Sequence, residues 1–157
     1  MSVSITSFRP EHAERFAALN REWLIAHDLL EALDEEQLAD PHTQLIAPGG
    51  TIFVAEQDSV VVGTCAIVPT GEGTSELVKL AVDPAARGAG IGRRLVERCL
   101  EQARTEGIRT VTLISSTRLQ AALRLYESCG FRHGPLPADS GYVTADVFME
   151  IELDVIP

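Results

Sequence analysis

The residues most able to do chemistry lie in one run, Val82-Asp83-Pro84-Ala85-Ala86-Arg87-Gly88-Ala89-Gly90-Ile91-Gly92-Arg93. Gly88, Gly90 and Gly92 alternate, and without Cβ atoms they let backbone N–H groups approach an anion closely. The run joins a β-rich stretch ending at Val82 to an amphipathic stretch that starts here. It therefore lies at a helix N-terminus, where unpaired N–H groups and the helix dipole favour negative charge. Arg87 and Arg93 can add charge-assisted contacts. Such a cradle suits a pyrophosphate. A dinucleotide fingerprint needs Gly-x-Gly-x-x-Gly, whereas the third glycine here comes one place early; a P-loop needs Gly-Lys-Ser/Thr, which is absent. Taken alone, the turn also reads as a plain strand-to-helix connector.

Two other side chains stand out. Glu76 starts the strand that leads into the turn. Strict alternation puts Glu76, Val78, Leu80 and Val82 on one strand face and Leu77, Lys79 and Ala81 on the other. A carboxylate among Val and Leu is partly desolvated, which raises its pKa toward the range of a general base. Glu76 reads equally as an exposed strand-start residue, or one paired with a cation. Tyr126 lies on an apolar helical stripe and by itself reads as a core aromatic. Lys79 interrupts an apolar strand, where it either faces solvent or holds an acidic group. His12, His27, His42 and His133 show no metal-ligand spacing, so no metal site is expected.

The elements that must position these residues follow from periodicity. Val3 to Phe8 alternates as a strand, Pro10 opens a helix, and Phe16, Leu19, Trp23 and Ala26 recur at helical spacing. A short helix over Asp34 to Asp40 stops before Pro41. After the turn Pro48-Gly49-Gly50, Thr51–Ala55 and Val60–Val68 form a hairpin. A turn at Pro69 to Gly73 leads to the strand Glu76–Val82. Ile91, Leu95, Cys99, Leu100 and Ala103 mark a helix ending near Gly107. Thr110–Ile114 is a strand, Leu119 to Tyr126 a helix ending at Gly130, and closing strands lie from Phe131 and in Val143–Leu153. The middle strand-helix-strand is a parallel unit with a right-handed crossover. The fold class is α/β: a mixed sheet with antiparallel N-terminal strands and helices on both faces, in one domain over residues 1–157.

Bulk properties narrow the function classes. The 157 residues are 45% hydrophobic and 23% charged, as in ordinary globular proteins. The net charge of −10 argues against nucleic acid as a partner. No apolar run approaches the ~20 residues of a membrane span. Met1 to Thr6 shows no signal-peptide pattern, so a cytoplasmic protein is expected. Cys65, Cys99 and Cys129 are odd in number and widely spaced, unlike a disulfide framework. The early acidic residues Asp28, Glu31, Asp34, Glu35, Glu36 and Asp40 read as a solvated face, or as a surface that attracts a cationic amine.

Leu80-Ala81-Val82-Asp83-Pro84 followed by Arg87-x-x-Gly90-x-Gly92 resembles the acetyl-CoA signature of the GNAT acetyltransferases. Leu125-Tyr126-Glu127-Ser128-Cys129-Gly130-Phe131 looks like that family's second signature, at a matching distance. The resemblance is most specific from Glu76 to Phe131. It implies a GNAT-like acyl-CoA N-acyltransferase fold, with a central parallel pair of strands splayed around acetyl-CoA. The CoA diphosphate would rest on Gly88, Ala89, Gly90, Ile91 and Gly92 with Arg87 and Arg93 alongside. The pantetheine arm would pair with Leu80, Ala81 and Val82. Tyr126 would give a proton to the leaving thiolate, and Glu76 would be the base, directly or through water. Many relatives place an asparagine where this chain has Ser115-Ser116-Thr117, so Ser116 would take over part of that contact. The implied reaction moves an acetyl group to a primary amine of a small molecule or protein N-terminus. A GNAT-like module that binds acyl-CoA without turnover is the alternative, and it would need the turn but not Glu76 and Tyr126. Similar proteins commonly form homodimers.

Overall fold

The protein, described over residues 2–154 by a computed structural model, is built on one seven-stranded sheet. The strands are β1 (Val3–Ser7), β2 (Thr51–Gln57), β3 (Val60–Gly71), β4 (Thr74–Val82), β5 (Thr110–Ser115), β6 (Arg132–Gly134) and β7 (Val147–Glu152), in the order β1-β2-β3-β4-β5-β7-β6. The helices are α1 (Ala13–Ala26), α2 (Ala32–Ala39), α3 (Ile91–Thr105) and α4 (Gln120–Ser128). Neighbouring strands are antiparallel except β4 and β5, which are parallel and joined through α3. This matches the expected mixed sheet. β3 runs past Val68 to Gly71, so the hairpin turn is tighter than the residues Pro69 to Gly73 suggest. No helix among the described residues is long and apolar enough to cross a membrane.

Alternation along the central strands separates two cores. Ile52 and Ala66 pack with Phe16 and Ala17 of α1 and Leu38 of α2. Phe53, Ala55, Cys65, Ile67 and Leu77 pack with Leu95, Val96, Cys99 and Leu100 of α3, and with Ala122, Leu123 and Tyr126 of α4. Cys65 and Cys99 are wholly buried and serve as small hydrophobes.

β4 breaks the alternation in its middle. Thr64 of β3 pairs with Ala81 and Ala66 with Val78, so Lys79 and Leu80 together oppose Cys65. This is a β-bulge, with Lys79 left-handed at φ 59°. The bulge corrects the strict face assignment made from sequence. Val78 packs on the α1 side, but beyond the bulge Leu80 and Val82 turn to the α3 and α4 side. Glu76 and Leu80 therefore do not share a face. The bulge is held from below: Thr64 Oγ1 donates to the Lys79 carbonyl at 2.8 Å, and Asn20 Nδ2 donates to Thr64 Oγ1 at 2.9 Å.

β4 and β5 pair at only three positions, Thr74 with Thr110, Ser75 with Val111 and Glu76 with Thr112. Past Glu76 the two strands part, and a wedge opens between Leu77–Val82 and the end of β5.

Candidate active site

The glycine turn opens α3. Gly88 and Gly90 have φ of 89° and 73°, a region where a side chain is strained. Gly90 caps α3, and a Cβ on either glycine would meet nothing within 4 Å. The face of the turn is thus open. No main-chain N–H from Gly88 to Arg93 donates to another main-chain group; Arg94, donating to the Gly90 carbonyl at 3.1 Å, is the first after the turn that does. This row of unpaired donors at a helix N-terminus fits a diphosphate. Gly92 has a different task. A Cβ there would come within 3.1 Å of Leu125 Cδ2, so glycine lets α4 pack against the first turn of α3. Asp83 fixes the approach to the turn. Its Oδ1 accepts from Ala85 N at 2.9 Å, and its Oδ2 accepts from Arg15 Nη2 at 2.8 Å.

The two arginines behave differently. The Arg87 guanidinium lies over the Trp23 ring of α1. Arg93 reaches along α3 to Glu97 at 3.2 Å and across to the Ser128 hydroxyl of α4. Ile91 is buried, so only its main chain faces the cradle, while Ala89 is exposed.

The wedge between β4 and β5 forms a cleft with two arms that share Trp23, Leu80 and Leu119 in their walls. The outer arm runs from Arg87 and Gly92 past Val82 to Arg118 and Leu125. The inner arm is walled by Glu76, Lys79, Ser116, Tyr126, Asp34 and Tyr142, among others. Glu76, Leu80, Ser116 and Tyr126 are thus brought together, and Val82, Arg87 and Gly92 lie in the adjoining arm. Ala81 is fully buried and lines neither arm, which leaves only its main chain for a ligand. Ser116 is buried too, and its Oγ accepts from Arg118 N at 3.1 Å.

Burial sets the protonation of the inner arm. It pushes the Glu76 carboxyl above its ordinary range, although the Lys79 ammonium pulls the other way. Burial also pushes the Tyr126 phenol well up, so it keeps its proton. The Tyr126 ring is held edge-on by Phe131, with centroids 5.9 Å apart. Tyr142 is raised by burial and by the carboxylates of Asp34, Glu76 and Glu31 around it.

Sequence reasoning overlooked three groups here. Asp34 is buried and paired with Lys79 at 2.7 Å, not part of a solvated face. Asn20 anchors the bulge through Thr64. Tyr142 stands on the loop before β7, held where Glu31 Oε1 accepts from Val143 N and Glu31 Oε2 from Thr144 N, both at 2.9 Å. The lysine inside an apolar strand was the one signal pointing to a buried acid. His133, by contrast, sits on the surface 3.7 Å from Glu127.

A model of the acetyltransferase (GNAT) family matches residues 12–131. The chain belongs to the GNAT family. An uncharacterized N-acetyltransferase of Schizosaccharomyces pombe is 29% identical over 87% of this chain and 90% of its own. The uncharacterized N-acetyltransferase YjgM of Escherichia coli is 36% identical over 68% of this chain and 66% of its own. Other relatives are longer: the match spans 51% of rat N-acetyltransferase family 8 member 2. Among solved structures, a GNAT acetyltransferase of Staphylococcus aureus superposes with a TM-score of 0.89 at 19% identity, covering 98% of this chain and 100% of that one. YncA of Salmonella typhimurium, solved with acetyl-CoA, gives 0.76 at 21% identity, covering 100% of this chain and 97% of that one. The described residues thus share the GNAT fold, and the splayed β4 and β5 are its central pair.

Proposed function

We propose that this GNAT protein transfers an acetyl group from acetyl-CoA to the primary amine of a small molecule or protein N-terminus. The observation that carries the reading is the row of unpaired N–H groups from Gly88 to Arg93, which opens onto a cleft holding Glu76 and Tyr126. In this reading the turn binds the diphosphate, with Arg87 and Arg93 adding charge. The main chain of Leu80, Ala81 and Val82, unpaired by β5, takes the pantetheine arm as an added strand. Ser116 borders that arm.

The chemistry follows from the two side chains. Glu76 takes a proton from the ammonium, directly or through water, and the neutral nitrogen attacks the thioester carbonyl. Main-chain N–H groups of β4 near the bulge stabilise the oxyanion. The C–N bond forms, the C–S bond breaks, Tyr126 protonates the departing thiolate, and the second proton shed by the acylated nitrogen restores the phenol. A thiol is a stronger acid than a phenol, so Tyr126 adds modest help rather than most of the rate. We place the protein in the cytoplasm, a reading supported by the free thiols of Cys65, Cys99 and Cys129.

Calorimetry with acetyl-CoA, followed by an amine screen that reads free-thiol release, tests the proposal. Absence of binding at millimolar acetyl-CoA overturns it. Binding without thiol release from any amine would instead make the protein an acyl-CoA-binding module.

A further inference from the structure

The two arms of the cleft differ in charge. The lining of the outer arm holds Arg87 and Arg118 and no carboxylate. The lining of the inner arm holds two carboxylates, Glu76 and Asp34, against one cation, Lys79. That cation is already committed. Lys79 Nζ lies 2.7 Å from Asp34 Oδ1, and the two side chains are only 4% and 5% exposed. Asp34 is committed as well, since its Oδ2 accepts from Glu31 N at 3.0 Å at the start of α2. The pair is neutral as a unit and anchored at both ends. What remains to meet a ligand is the Glu76 carboxylate, among walls that include Trp23, Leu24, Leu29 and Tyr142.

Resting on the acetyl-transfer reading above, we infer that the acceptor is a monocationic primary amine on an apolar body, with no carboxylate near the nitrogen. An arylalkylamine or alkylamine has this chemistry; a free α-amino acid does not. The ammonium of such an amine complements Glu76 as it arrives, and its apolar body covers the aromatic and aliphatic wall. An α-carboxylate would enter the same desolvated space as Glu76 and Asp34. The one nearby cation is spent on Asp34, so the new anion would be buried without a partner. The charge pattern thus selects at both ends, with cations toward the diphosphate and an anion toward the amine.

Matched acceptors test this at saturating acetyl-CoA, with thiol release as the rate and mass spectrometry of the product. 2-Phenylethylamine and phenylalanine amide are expected to exceed phenylalanine in kcat/KM by about a hundredfold or more. Asp34→Asn keeps an acceptor for Glu31 N but leaves the Lys79 charge uncompensated. It is expected to move the acid-to-amide ratio toward the acid by about tenfold or more. A purely structural effect would lower both rates and leave the ratio unchanged. If Asp34→Asn does not fold, the wild-type ratio decides by itself. Phenylalanine used as well as its amide, or an unmoved ratio in a folded Asp34→Asn variant, overturns the inference while the acetyl-transfer reading stands. No thiol release with any amine sinks both.

Discussion

The Arg87 guanidinium lies 4.7 Å from the centre of the Trp23 ring, so a residue of the phosphate turn rests on a residue that walls both arms of the cleft. Trp23 is the only tryptophan in the chain. Acetyl-CoA is therefore expected to change its emission as Arg87 leaves the ring for the diphosphate. Arg87→Ala should weaken acetyl-CoA binding by tenfold or more, since a hydrogen bond to a charged group contributes about 1.5–3 kcal/mol. Calorimetry checks this, and an unchanged affinity would remove Arg87 from the cofactor contacts.

Tyr126→Phe keeps the ring and its contact with Phe131. It should lower kcat by roughly tenfold to a hundredfold, at or below the lower end of general acid effects, with acetyl-CoA affinity nearly intact. Because burial holds the phenol above its ordinary range, no limb of the pH profile should belong to it. A parental kcat in the variant would reduce Tyr126 to a core aromatic.

Glu76 ties activity to instability. Its carboxyl is raised in the folded protein by burial. The folded state thus binds this proton more tightly than the unfolded chain does. The resulting stabilisation is fully present below the ordinary carboxyl pKa and is lost as pH rises through the folded value. Glu76→Gln should raise Tm at pH 8 and give no gain at pH 4, while removing the acidic limb of kcat/KM. A variant with the parental pH–rate profile would give Glu76 a structural role only.

Asp34→Ala would strand the Lys79 ammonium in a site where its side chain is 4% exposed. Breaking a buried pair from one side costs about 3–5 kcal/mol, and the Glu31 N–H would lose its acceptor as well. Urea denaturation should show that loss. A change under about 1 kcal/mol, the scale of an exposed pair, would mean that water reaches Lys79.

Much of the fold was legible because its signals are local. Strand alternation, the proline before α1 and the alternate glycines each report on neighbours in sequence. The donor side of the site was legible for the same reason, since Arg87 to Arg93 and Tyr126 to Phe131 are contiguous runs. The acceptor side was not. Asp34 sits in an acidic run, and nothing in that run tells its buried carboxylate from the exposed one of Glu36. The bulge was invisible because Lys79 is not a residue that announces a positive φ. What holds it left-handed is distant, namely Thr64, Asn20 and Asp34. One unannounced bulge was enough to invert the inferred direction of Leu80 and Val82.

β3 and β4 pair at seven positions and β5 and β7 at six, but β4 and β5 at only three. The sheet has a seam, and the proposed pantetheine arm would lie along it. A ligand that binds only the folded state adds about 2.7 kcal/mol of stability at a hundred times its Kd. The cellular lifetime of this protein would then follow the supply of acetyl-CoA. Local opening of the seam, and the proteolysis that follows such opening, would then be rarer where acetyl-CoA is plentiful than where it is scarce.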